Sequence, residues 1–144
     1  MKYLMFVLFA VVNLVIILKV PDGLAKLKVL KYLGLAIPLT LVVATLIMLL
    51  LKVLNYTPEL QFKNTFFSVL MSVLTILLLN CMIIIGVYML DRMIGFHQVH
   101  NANNLDRFPV SFVSKNHINI KTGIKVLFFL GSLLMFYGIW LGKK

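Results

Sequence analysis

From Phe66 to Leu90 the chain runs for 25 residues without a charged side chain. At about 1.5 Å per residue, a helix of that length more than crosses the roughly 30 Å hydrocarbon core of a bilayer. Three further apolar runs accompany it: Tyr3–Val20, Tyr32–Leu54 and Thr122–Leu141. Hydrophobic residues make up 62% of the chain and charged residues 12%, about half the charged share of an average soluble domain. So few charged side chains cannot cover this much apolar surface against water. Lipid reverses the requirement, because an apolar exterior is then wanted and helices satisfy their own backbone groups. The expectation is an all-α membrane protein. It is a four-transmembrane-helix bundle, one integral membrane domain over residues 1–144, with a longer polar loop at 91–121 between its third and fourth helices.

The boundaries follow from local chemistry. Pro21-Asp22-Gly23 ends the first run. That run is expected to be a retained span and not a cleaved signal peptide, since only Lys2 precedes it and no small-x-small site follows. Lys26, Lys28 and Lys31 form a basic flank to the second span, which contains Pro38. A proline early in a membrane helix is tolerated because neighbouring groups re-satisfy the freed carbonyl. Asn55 to Asn64 is a short polar connection. Tyr137 and Trp140 near the end of the fourth run suit an interfacial aromatic belt. The segment from Pro109 to Lys121 alternates weakly, which leaves a short hairpin or a strandless loop open.

The net charge of +10 sits beside the apolar runs, where basic residues anchor helix ends and set orientation. No continuous basic face offers itself to nucleic acid. Lys19, Lys26, Lys28 and Lys31 flank the first connection, and Arg92, Arg107, Lys115, Lys121 and Lys125 flank the third. Lys2, Lys52, Lys63, Lys143 and Lys144 fall on the other side. This split of nine against five places the first group in the cytoplasm and both termini outside. The expected location is the cell membrane, as a multi-pass protein of a bacterial plasma (inner) membrane.

The spans hold almost nothing ionisable. Pumps, proton-coupled transporters and voltage sensors need such groups at membrane depth. Asn13 and Asn80 each lie near the middle of a span and call for an interhelical hydrogen bond. Ser68, Ser72, Thr75 and Gly86 share one face of the third span, Gly34, Pro38 and Thr45 one face of the second, and Gly123, Gly131 and Gly138 one face of the fourth. Small residues let helix backbones approach, so these are expected packing faces. Cys81 is the lone cysteine, and it says nothing about redox compartment.

Most of the chain's specificity-bearing side chains fall in 91–121. Arg92, Phe96, Asp106, Arg107, Phe108 and Phe112 are the expected partner-binding residues, because aromatics and arginine dominate interfaces. His97 and His100, three apart, share a face if helical, and His117, Asp91 or Asp106 could complete a metal site. Whether they bind metal is open, and no cofactor is expected. Ser111 and Ser114 near His117 do not make a triad, and no GxSxG or phosphate loop occurs.

Arg92 with Asn101-Ala-Asn-Asn-Leu-Asp-Arg-Phe-Pro109 resembles the Arg…Asn-x-x-Glu segment of the membrane-associated eicosanoid and glutathione enzymes, Asn103 and Asp106 having that family's spacing. In that family the motif lies on the second span with two more following. Here it precedes a single span and Asp replaces Glu, so the activity is not carried over. In overall style the chain resembles immunity proteins that guard against pore-forming bacteriocins, and accessory subunits of larger membrane complexes. The leading expectation is therefore a non-enzymatic interaction protein whose partner is the bilayer plus another membrane protein or a second copy. A small oligomeric channel or facilitator is the alternative. A membrane enzyme using the histidine-bearing segment comes third.

Overall fold

The structure, a computed structural model, describes residues 1–20, 25–100 and 107–142. It is helical throughout, with no strand among the described residues. Five helices follow in order: α1 Lys2–Leu18, α2 Ala25–Val53, α3 Leu60–His100, α4 Val110–Lys115 and α5 His117–Trp140. Residues Leu27–Val53 of α2, all of α3 and all of α5 are long and apolar enough to cross a membrane. α1, with 17 residues, is a shorter apolar helix.

α1 and α3 run in one direction and α2 and α5 in the other. Two apolar clusters reveal the order. Ile17 and Val20 of α1 meet Ile83, Ile84 and Val87 of α3, with Phe128 and Phe129 of α5 and Val29, Leu30 and Leu33 of α2 against them. Ala10, Ile76, Phe136 and Trp140 form the second cluster, backed by Phe9 and Val69. α1, α3 and α5 thus make a three-helix core, and α2 leans on α3. The outward surface is unusually apolar. On α2 alone Leu35, Leu39, Val42, Leu46 and Leu50 are exposed, and Ala44 is the only buried side chain described. A water-soluble monomer rarely exposes so large an apolar surface.

Three boundaries differ from the sequence expectation. α2 begins at Ala25, so the basic flank with Lys28 and Lys31 is already helical. α3 begins at Leu60, which leaves a connection of only a few residues after α2. The polar segment 91–121 is mostly helix and not loop or hairpin: 91–100 continue α3, α4 takes 110–115, and α5 starts at His117. The reason is local. From Asp91 to His100 there is one glycine and no proline, so polarity alone does not stop the helix. Pro109 then sits immediately before α4, where its missing N–H is not needed.

The turn after α2 is a Schellman cap. Asn55 takes the left-handed conformation (φ 53°), Tyr56 N–H donates to Leu51 O at 3.0 Å, and Asn55 N–H donates to Lys52 O at 3.1 Å. Asparagine is among the few non-glycine residues that tolerate this conformation. At the far end of α5, a Cβ on Gly142 would lie 2.5 Å from Gly138 O, so only glycine fits the closing turn.

Candidate functional site

Two regions carry polar side chains in a defined geometry. The first is inside the bundle. Asn13, Ser72, Asn80 and Ser132 are each fully buried. Asn80 Nδ2 donates to Asn13 Oδ1 at 3.0 Å and to Ile76 O at 2.8 Å. Asn13 Nδ2 donates to Ser132 Oγ at 2.8 Å, and Ser132 Oγ donates to Phe129 O at 2.6 Å. One rung joins α1, α3 and α5. Asn80 Oδ1 is the single buried side-chain acceptor left without a partner among the described residues.

A second rung lies about two turns away along α3. Trp140 Nε1 donates to Ser72 Oγ at 2.8 Å, and Ser72 Oγ donates to Ser68 O at 2.8 Å. The indole stacks on Phe9, with centroids 5.8 Å apart and planes 17° apart. On the other side of the asparagine rung the interior is dry, because Ile17, Ile83, Ile84 and Val87 are all essentially buried. These rungs tie together segments far apart in sequence. They contain no group that exchanges a proton, so their chemistry is that of a fastener.

The small-residue stripes divide. Ser68 and Ser72 are buried, and Gly86 faces α5, where an added Cβ would meet Ile124 Cγ2 at 3.9 Å. Thr75 Oγ1 donates to Met71 O in its own helix. A Cβ on Gly34, Gly123, Gly131 or Gly138 would meet nothing within 4 Å. Those glycines permit no close approach inside this chain; the reason is that their faces of α2 and α5 turn outward.

The second region is a cap formed by the last ten residues of α3, by α4 and by the first turns of α5. An ion pair stands at its base, Lys121 Nζ to Asp91 Oδ1 at 2.7 Å. The Arg92 guanidinium lies over the Tyr88 ring, 5.7 Å from its centroid. Met93, Ile94 and His97 face Pro109, Val110 and Val113 of the α4 segment across a cavity of about 70 Å³. Phe96, Phe108 and Phe112 are exposed, Phe108 by 82%. Arg92 and Arg107 are exposed beside them. Asp106, like Asn103, lies outside the described residues.

His97 and His100 both lie against the Phe96 ring, at 5.8 and 4.8 Å, and His97 also lines the cavity that faces α4. His117 Nδ1 donates to Ser114 O at 2.9 Å. Among the described residues no group of three or more His, Cys, Asp or Glu is close enough to hold a metal ion.

Sequence reasoning missed Ser132, Phe9, Phe136 and the burial of Trp140. A signal was present: Phe129, Ser132, Phe136 and Trp140 recur at three- and four-residue spacing, which marks one helix face. No protein-family model, no curated protein and no solved structure matches this chain. The functional reading therefore rests on the geometry alone.

Proposed function

We propose that this is an integral membrane protein of four spans, with α1 as the fourth, that works by recognition and carries out no reaction. It is an accessory subunit of a larger membrane complex or an immunity-type protein that intercepts another membrane protein. The fourth span is supported by the depth of α1, whose Asn13 and Ile17 pack on the apolar middle of α3. The charge split supports a cytoplasmic cap and external termini in a bacterial plasma membrane. Reporters fused after residue 144 and inserted at Thr57 should both read non-cytoplasmic. A cytoplasmic signal at both reverses the orientation, and disagreement between them removes a span.

The observation that carries the recognition reading is the cap. Arg92 and Phe96 are exposed on α3 and Phe112 on α4, with Arg107 and Phe108 exposed in the turn before α4, and the Asp91–Lys121 pair braces α3 against α5. Aromatics and arginines supply much of the energy in protein interfaces. Purification in mild detergent tests this. The partner retained by the wild type should be retained at least tenfold less by the R107A/F108A variant. It should be retained in full by H97A/H100A. If the histidine pair proves essential and the protein carries stoichiometric zinc or iron, the enzyme reading replaces this one.

One observation favours contact between copies, and with it the channel reading. The Gly34, Pro38 and Thr45 stripe of α2 is exposed and not covered by α3. The dry layer at Ile83 and Ile84 closes the interior of a single copy, so any conducting path would run between copies. A homo-oligomer that conducts in liposomes would support that alternative.

A further inference from the structure

At the end of the bundle opposite the cap, the last turns of α2 and the first turn of α3 enclose a cleft of about 570 Å³. Its rim carries Lys52, Lys63, Tyr56, Thr57 and Asn55. Its lower wall is Thr45, Met48 and Leu49, which descend along α2 from the rim toward the apolar middle of that helix. From Lys52 to Thr45 the drop is about 10 Å along the helix axis. The cleft is therefore cationic and hydrogen-bonding at its mouth and apolar at its foot.

The rim is built and not incidental. The Schellman cap fixes Lys52 and Tyr56 on the two sides of Asn55, and Lys63 lies in the first turn of α3. Among the described residues neither lysine has a carboxylate within ion-pair distance. Glu59, the only carboxylate in this connection, does not line the cleft. Two ammonium groups on one cleft repel each other until an anion lies between them. Lys52 lies in the last turn of α2, near the end of its apolar run, so on the membrane reading the rim stands where hydrocarbon gives way to headgroups.

We propose that this cleft is a binding site for an anionic phospholipid. The phosphate lies between the Lys52 and Lys63 ammonium groups, with the Tyr56 hydroxyl as a further donor. Asn55 and Thr57 serve the glycerol or headgroup oxygens. One acyl chain runs down over Met48 and Leu49. The inference rests on the membrane reading above but is independent of the cap and its partner.

The test uses the full chain reconstituted into nanodiscs of equimolar phosphatidylglycerol and phosphatidylcholine, released gently and weighed by native mass spectrometry. Failure to enter the discs would overturn the membrane reading itself. In chain that does enter, one phosphatidylglycerol should be retained in preference to phosphatidylcholine. The K52Q/K63Q variant should lower that retention about tenfold, and K52R/K63R should preserve it. K28Q/K31Q, which removes equal charge at the opposite end, should leave it unchanged. Excess inorganic phosphate should not displace the lipid, because it cannot use the apolar wall. Equal retention by K52Q/K63Q overturns the site. So does an equal loss in K28Q/K31Q, which would mean only a general attraction of basic protein for acidic lipid. Displacement by inorganic phosphate would show an ion site and overturn the lipid assignment. Should K52Q/K63Q fail to fold, Tyr56→Phe replaces it. That variant should fold and lose part of the preference for phosphatidylglycerol, and an unchanged preference counts against the site.

Discussion

Replacing Trp140 by alanine should destabilise the bundle by about 2–3 kcal/mol. The figure follows from the cavity left behind. In lipid the transfer of an apolar side chain gains little, since acyl chains are as apolar as leucine. The loss is then mainly of packing, about 24 cal/mol per Å³ over roughly 100 Å³ of vacated space. Trp140 is only 6% exposed and stacks on Phe9, so the space cannot refill from solvent. Trp140→Phe keeps most of the ring and loses the N–H bond to Ser72, a cost of about 0.6 kcal/mol. Ser72 keeps its bond to Ser68 O in either variant. Unfolding in mixed detergent micelles measures both. If W140A costs no more than W140F, the indole is an interfacial anchor after all and not a keystone of the second cluster.

The asparagine rung should give a smaller and asymmetric result. Asn13→Leu removes both an acceptor and a donor, and should cost up to about 2 kcal/mol, the upper range for polar contacts between membrane helices. It strands one of the two Asn80 N–H groups, which loses Asn13 Oδ1, while the other still bonds Ile76 O and Ser132 still bonds Phe129 O. Asn80→Leu removes the same link but also a buried acceptor that has no partner, Asn80 Oδ1. Asn13 Oδ1 is stranded in its place, but relief of Asn80 Oδ1 offsets that loss and the Asn13–Ser132 bond survives, so Asn80→Leu should cost less than Asn13→Leu. The double variant should reveal a coupling of about 0.6–1.7 kcal/mol between the two positions. The reverse order, with Asn80 the more costly, would mean that its carbonyl oxygen is satisfied in the working protein. Normal assembly with lost function in Asn80→Leu would mean that the amide serves a ligand.

The three long helices were legible because their signal is apolar composition sustained over 18 or more residues. Asn13 and Asn80 stood out by residue type alone, since an amide at mid-span is rare and expensive. Their pairing with Ser132 was not legible, because serine is common in membrane helices and its partner depends on how three helices rotate against one another. The burial of Trp140 was not legible for a related reason. An aromatic belt and a buried indole both put tryptophan near a helix end, and only the neighbouring helix decides between them. The loop expected at 91–121 failed because polarity was taken as a sign of irregular backbone. A polar helix needs only good local propensity and one packed face, and Met93, Ile94 and His97 supply that face against α4. The candidate partner residues Arg92 and Phe96 gained a rigid mounting that no reading of loop composition could give them.

α3 is one uninterrupted helix of 41 residues, about 60 Å long, roughly twice the thickness of the hydrocarbon it would cross. Asn80, clasped to α1, is 20 residues from Leu60 and 20 from His100. The asparagine rung therefore sits at the midpoint of α3, with arms of equal length on either side. Were α3 to tilt rigidly about that midpoint, His100 and the Phe96 ring would move one way and Lys63 the other by a comparable distance. Under the proposed recognition and lipid readings, a partner held at the cap and a lipid held in the lysine-rimmed cleft would bear on opposite ends of one rod.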